Sequence, residues 1–216
     1  MTILVINPNS NQAVTDGMAD ALQVLKISGG PKIECLTLEE GPFGVESQAD
    51  IESVTLPLLK LVTERDDADA YVIACYSDPG LQVCREATPK PVFGIQECGV
   101  LTALAQGDRF GVIALADASI KRHLRYLRQM GVMDRLARER AANLSVHDSA
   151  TGRETFAQLC EVGIELRDLD GAETIILGCA GMAAHRIPLA EFLGIPVIDP
   201  VQAATSMAMG AVMLKG

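Results

Sequence analysis

Two cysteines stand at matching places in two similar stretches of chain. Cys75 closes Ala68-Asp69-Ala70-Tyr71-Val72-Ile73-Ala74, and Cys179 closes Ala172-Glu173-Thr174-Ile175-Ile176-Leu177-Gly178, at an offset of 104 residues. An acid, three apolar strand residues and a small residue run in step before each thiol. Two thiols opposed across a crevice can invert a carbon acid. A thiolate on one side removes the proton from a stereocentre, leaving a planar enolate-like species, and a neutral thiol on the other side protonates the opposite face. No cofactor is needed. A free thiol titrates at about 8.5, and a helix N-terminus beside it lowers that value. Cys75 precedes Ser77-Asp78-Pro79-Gly80, where Asp78 reads as an N-cap and Pro79 as the first helical residue. Cys179 lies in Leu177-Gly178-Cys179-Ala180-Gly181-Met182, where small residues let the backbone approach a ligand and offer N–H groups to an enolate oxygen. A buried free cysteine is ordinarily an inert small apolar residue. Cys35, Cys84, Cys98 and Cys160 have no repeat partner and are read that way.

Opposed placement requires two similar lobes, and the pattern of elements supplies them. Short β-rich runs (Ile3 to Ile6, Lys32 to Thr37, Ala70 to Ala74, Val92 to Ile95, Phe110 to Leu115, Leu144 to Val146, Thr174 to Leu177, Val197 to Ile198) alternate with stretches of helical periodicity. The helical stretches are Asn11 to Leu25, Ile51 to Glu64, Cys98 to Ala105, Ser119 to Met130, Gly152 to Asp168 and Gln202 to Leu214. This alternation predicts parallel α/β sheets, whose ligands bind beyond the carboxyl ends of the strands. Further strands repeat in order: Pro91-Val92-Phe93-Gly94-Ile95 with Pro196-Val197-Ile198-Asp199-Pro200 at 105, the Ile3 strand with the Phe110 strand at roughly 107, and the Ile33 strand with the Leu144 strand at roughly 111. Two pseudosymmetric α/β lobes follow as the expectation, residues 1–95 plus 196–216 and residues 96–195, with the site between them.

Composition narrows the partners. The chain has 216 residues, 49% hydrophobic and 21% charged, with a net charge of −10, so it lacks the positive field that nucleic acid or an anionic membrane demands. No apolar run approaches a bilayer's thickness and the start carries no basic signal region, so a cytoplasmic protein is expected. Six cysteines without a Cys-x-x-Cys pair predict reduced thiols rather than disulfides or a zinc cluster. No P-loop or Gly-x-Gly-x-x-Gly appears.

Taken together, Ile6-Asn7-Pro8-Asn9-Ser10, Gly41-Pro42 with Glu46-Ser47, Ala74-Cys75-Tyr76-Ser77-Asp78-Pro79-Gly80-Leu81, Pro91-Val92-Phe93-Gly94-Ile95, Leu177-Gly178-Cys179-Ala180-Gly181-Met182 and Gly194-Ile195-Pro196-Val197-Ile198-Asp199 resemble the Asp/Glu/hydantoin racemase superfamily over essentially the whole chain. The resemblance implies a two-lobed pseudosymmetric α/β fold and cofactor-independent racemisation, with Cys75 and Cys179 as the acid and base pair. It points to the hydantoin and allantoin branch. Glutamate and aspartate racemases usually follow their cysteines with Asn-Thr or Thr-His, suited to an amino-acid carboxylate, whereas here Tyr76-Ser77 and Ala180-Gly181 follow. Arylmalonate decarboxylases resemble this fold but carry only the later cysteine. An amino-acid racemase, a maleate isomerase and a noncatalytic two-lobed binding protein remain alternatives.

The expected substrate is thus a hydantoin or related ureide, with no metal and no nucleic acid or membrane partner. Asn7, at the end of the first strand, carries an amide that can both donate and accept, and the resemblance places a substrate-binding residue there. Tyr76, Ser77, Ser119, Gly178, Ala180 and Gly181 complete the expected substrate contacts, and Phe43, Val45 and Tyr76 are candidates to shape the pocket for the C5 substituent. Asp78 reads as a cap rather than a base, and Glu97 as a solvated helix start. His123 and His147 read as surface or capping groups, and His185 as outside the site. The basic stretch Lys121 to Arg140 reads as a solvated helix face or subunit contact. Exposed Ala and Met on the last helix point to a homo-oligomer.

Overall fold

Ile3, Leu4, Val5 and Ile6 are all fully buried, as a strand covered on both faces requires. They form β1 (Thr2–Asn7) inside a parallel sheet. The computed structural model describes residues 1–151 and 154–214. After β1 the first lobe runs α1 (Gln12–Ala21), β2 (Lys32–Thr37), α2 (Gln48–Glu64), β3 (Ala70–Ile73), α3 (Leu81–Ala87) and β4 (Val92–Gly94). Then come α4 (Ile95–Leu104), β5 (Phe110–Ala114), α5 (Asp117–Met130), β6 (Leu136–Ala141), α6 (Val146–Thr151), α7 (Thr155–Asp168), β7 (Thr174–Gly178), a 3-10 turn over Ala180–His185, α8 (Arg186–Leu193), β8 (Val197–Ile198) and α9 (Pro200–Met213).

The strands form two four-stranded parallel sheets of identical order, β2-β1-β3-β4 and β6-β5-β7-β8. Alternate residues of β1 face different cores. Leu4 and Ile6 pack with Val54 and Leu58 of α2 and Leu81 of α3. Ile3 and Val5 belong to a larger core with Val14 and Met18 of α1 and Val201 and Ala204 of α9, continuous with Val112 and Ile113 of the second sheet. The lobes therefore share apolar interior, and their connecting helices α4 and α9 pack on one another. There Gly99 lets α4 approach: a Cβ at this position would stand 3.0 Å from that of Pro200.

Two expectations differ from the structure. The second lobe's edge strand is β6, Leu136–Ala141, while Leu144 and Ser145 lie in the turn leading to α6, which starts at Val146. The basic stretch thus ends in a strand, and charged residues are a normal edge-strand device. Aligned with β2 along the sequence, it restores the 104-residue offset, Lys32 matching Leu136. The return to the first lobe also comes later than residue 196. Val197–Ile198 pairs with β7 in the second sheet, and it is α9 that packs on β1, β3 and β4. The expected start of the helix before Asp168, at Gly152, lies outside the described residues; α7 begins at Thr155.

Candidate active site

The carboxyl ends of β3 and β7 carry Cys75 and Cys179, and both thiols line one small cavity of about 70 Å³. Around them stand Asn9, Val45, Glu46, Tyr76, Ser77, Ser119, Arg122, His123, Leu144, Val146, Gly178 and Ala180. The wall is therefore drawn from both lobes and from the ends of β1, β3, β5 and β7. The volume is far below the few hundred Å³ of a drug-sized site. A larger groove of about 480 Å³ between α4, α8 and α9 contains neither cysteine. Among the described residues no group of three His, Cys, Asp or Glu is placed to hold a metal ion.

Each sulfur has its own surroundings. Burial pushes the Cys75 thiol well above its ordinary value, Cys179 and then Asp78 push it further, and the Ser77 N–H and the Arg122 cation pull it back. Burial also raises Cys179, opposed by the Ser149 hydroxyl and the Gly181 N–H, while Glu46 adds to the rise. The Ser149 Oγ lies 3.6 Å from the Cys179 Sγ and donates to the Val146 carbonyl at 2.8 Å. The expected lowering by a helix N-terminus is not met at Cys75, because α3 begins only at Leu81 and Gly80 sits at its N-cap. Since each charge opposes the other, the pair holds one thiolate far more readily than two.

The turn after Cys75 is built by Asp78. The Ser77 and Asp78 N–H groups both donate to the Cys75 carbonyl, at 2.8 and 3.0 Å, and Asp78 adopts φ 44°, a left-handed conformation that Asp tolerates. Its carboxyl caps a helix, as the sequence suggested, but the helix is α4: Oδ1 and Oδ2 accept the Gln96 and Glu97 N–H groups, each at 2.9 Å. Burial outweighs these donors and raises Asp78 to about 7. Glu97 is not simply solvated. It pairs with Arg85 at 2.8 Å and accepts from the Tyr126 hydroxyl at 2.9 Å.

Among the expected substrate contacts, Tyr76, Ser77, Ser119, Gly178 and Ala180 line the cavity. Ser119 Oγ donates to the Ala116 carbonyl at 2.7 Å. Gly178 has an additional reason to be glycine, since a Cβ would meet the Ile113 carbonyl oxygen of β5 at 2.6 Å. Gly181 does not line the wall and acts instead through its N–H on Cys179. Asn7 is a correction. Its side chain is fully buried and occupied, donating to Asn9 Oδ1, the Asn11 carbonyl and Thr15 Oγ1 and accepting from the Asn9 N–H. It organises the β1–α1 turn, and Asn9 reaches the cavity in its place. Val45 lines the wall, while Phe43 is 60% exposed and packs on His147 with ring centroids 5.9 Å apart. His185 stacks on Phe156 outside the wall, at 6.0 Å.

Three wall residues escaped the sequence reading. Arg122 donates to the Ala118 and Glu46 carbonyls at 3.0 and 2.8 Å. Glu46 Oε1 accepts the Val146 N–H at 3.0 Å. These bonds tie the segment before α2 to the second lobe beside the cavity. His123 is 2% exposed rather than superficial, and its Nδ1 lies 2.5 Å from Glu139 Oε1 of β6.

This arrangement has close counterparts. Residues 3–208 match the family described as Asp/Glu/Hydantoin racemase. A hydantoin racemase of Paenarthrobacter aurescens is 38% identical over 99% of this chain and 92% of its own length. A hydantoin racemase of Pseudomonas sp. (strain NS671) is 37% identical over 96% of this chain and 84% of its own length. The solved allantoin racemase from Klebsiella pneumoniae superposes with a TM-score of 0.94 at 29% identity, covering 100% of this chain and 89% of that one.

Proposed function

The chain belongs to the Asp/Glu/hydantoin racemase family and is an isomerase, and we propose that it inverts the C5 centre of a 5-substituted hydantoin or of allantoin by two-thiol acid and base catalysis. One observation carries the mechanism: Cys75 and Cys179, each just beyond the corresponding strand of its own lobe, line a single small cavity. Whichever sulfur is ionised takes the C5 proton, and the other, still protonated, supplies one to the opposite face. Roles exchange with the enantiomer bound. The Arg122 cation favours the thiolate on Cys75; the Gly181 N–H favours it on Cys179, as does the Ser149 hydroxyl once it turns from the Val146 carbonyl. Beyond Cys179 the wall offers Ala180 rather than a polar side chain, which suits a neutral cyclic ureide better than an amino-acid dianion. We place the enzyme in the cytoplasm as a homo-oligomer associating through the exposed end of α9, where Met213 and Leu214 are 49% and 87% exposed.

The test is a panel of single-enantiomer hydantoins and allantoin followed by optical rotation in deuterated water. Loss of rotation without consumption of substrate, with one deuterium entering C5, is the expected result. Unchanged rotation and no exchange across the panel would refute the reading, and fumarate formed from maleate would replace it with a cis–trans isomerase.

A further inference from the structure

We propose that His123 is a third catalytic group of this site: its Nε2–H donates to the ring carbonyl oxygen that gains charge as the C5 proton leaves, and Glu139 positions it. The inference rests on the ureide reading above.

The imidazole is held from several sides. Glu139 Oε1 meets Nδ1 at 2.5 Å, the Tyr76 ring stands edge-on at 5.0 Å between centroids, and Gln96 donates to the His123 carbonyl at 3.4 Å. Tyr76 directly follows Cys75, so the ring is packed against the turn that carries one thiol. His123 lines the cavity, and its Nε2 bonds to no protein atom among the described residues. The side chains of His123 and Glu139 are only 3% and 1% exposed, and Glu139 Oε2 is buried without a partner.

We take the pair as electrically neutral overall, because a lone charge in such a place is costly. A neutral pair has two proton arrangements. In one, an imidazolium donates from Nδ1 to a carboxylate. In the other, a carboxylic acid donates to Nδ1 of a neutral ring. Both leave a hydrogen on Nε2, the nitrogen that Glu139 does not hold. The site therefore contains a fixed N–H donor, and it needs one: proton removal from C5 transfers charge from sulfur to a carbonyl oxygen, where a preorganised donor lowers the barrier.

Glu139→Gln separates this role from a structural one. The amide oxygen accepts Nδ1–H at nearly unchanged shape, leaving Nε2 a bare acceptor. C5 exchange of a hydantoin that the wild type turns over should fall about 100-fold, chiefly in kcat. Binding of 5,5-dimethylhydantoin, which has no C5 hydrogen to lose, should weaken less. His123→Gln, which sets an amide N–H near the Nε2 position, should retain more exchange than His123→Phe. The ¹⁵N spectrum gives a readout independent of turnover, because the chain has only 3 histidines: Nε2 of His123 is expected protonated in the wild type and unprotonated in Glu139→Gln, and shifted by 5,5-dimethylhydantoin only in the first. Exchange within about threefold of wild type in folded Glu139→Gln, or an unprotonated wild-type Nε2, overturns the proposal while leaving the two-thiol reading intact. A wild type that exchanges no hydantoin refutes that reading instead, and with it the carbonyl ligand assigned to His123.

Discussion

Gly94→Ala tests whether the turn bearing Cys75 is built as described. A Cβ at Gly94 would lie 2.5 Å from Asp78 Oδ1 and closer still to the other carboxyl atoms, so the carboxyl must leave the Gln96 and Glu97 N–H groups it caps at 2.9 Å. Orphaning two donors costs about 1–3 kcal/mol each, less where solvent reaches them, and the displaced side chain adds overpacking of about 1–3 kcal/mol. A loss of roughly 3–5 kcal/mol is expected. Asp78→Gly, which suits φ 44°, removes the cap without the overpacking and should cost about 2–4 kcal/mol. In that background the added methyl enters vacated space at an ordinary backbone conformation, φ −96° and ψ 140°, and should change stability by less than about 1 kcal/mol in either direction. Urea unfolding of the four proteins with matched slopes measures the cycle. Additivity within about 0.5 kcal/mol would refute the contact.

Two further outcomes follow from the same region and from the opposite thiol. Asp78 is raised to about 7 from an ordinary 3.8 by burial, so its contribution to stability is complete below about pH 4 and is lost as pH rises towards 7. Urea titrations should therefore show roughly 2–3 kcal/mol less stability at pH 8 than at pH 5 from this group. Asp199, raised to about 6 by burial, acts in the same sense. Asp78→Asn should flatten the slope, and an equal slope in that variant would show that the helix N-terminus holds Asp78 ionised. Ser149→Ala removes the hydroxyl 3.6 Å from the Cys179 Sγ, one hydrogen bond of about 0.5–1.5 kcal/mol, and should slow racemisation about 3- to 10-fold. Because racemic product fixes the equilibrium constant at one, kcat/KM must fall equally in both directions; unequal changes in initial-rate assays would contradict racemisation itself.

The strands that carry the cysteines were legible because both are buried on two faces, so Tyr71-Val72-Ile73 and Ile175-Ile176-Leu177 read as apolar at every position. The same property made the two-lobed repeat visible. What escaped was the edge. Leu136-Ala137-Arg138-Glu139-Arg140-Ala141 carries charges as an edge strand does, so it reads as part of a solvated basic stretch, while the apolar Leu144 to Val146 reads as the strand. That error hid a site residue. His123 has no acidic neighbour in sequence, and its partner Glu139 lies on the misread strand, 16 residues away. Continuing the 104-residue offset from Lys32 to Leu136 was the signal that could have found it. Asn7 differs: its position at a strand end was right, but both hydrogens of its amide and one acceptor site are taken up by the turn and helix that follow it. A sequence alone does not distinguish an amide that binds ligand from one that binds its own turn.

Single-thiol variants give the most direct measurement of all. Cys75→Ser and Cys179→Ser, each incubated with one pure hydantoin enantiomer in deuterated water, leave one sulfur beside one face of C5. Each variant should lose racemisation by orders of magnitude yet incorporate deuterium with retention into a single enantiomer, opposite for the two variants. Racemisation at wild-type rate by either variant, or exchange of the same enantiomer by both, would contradict opposed sulfur atoms acting across one carbon.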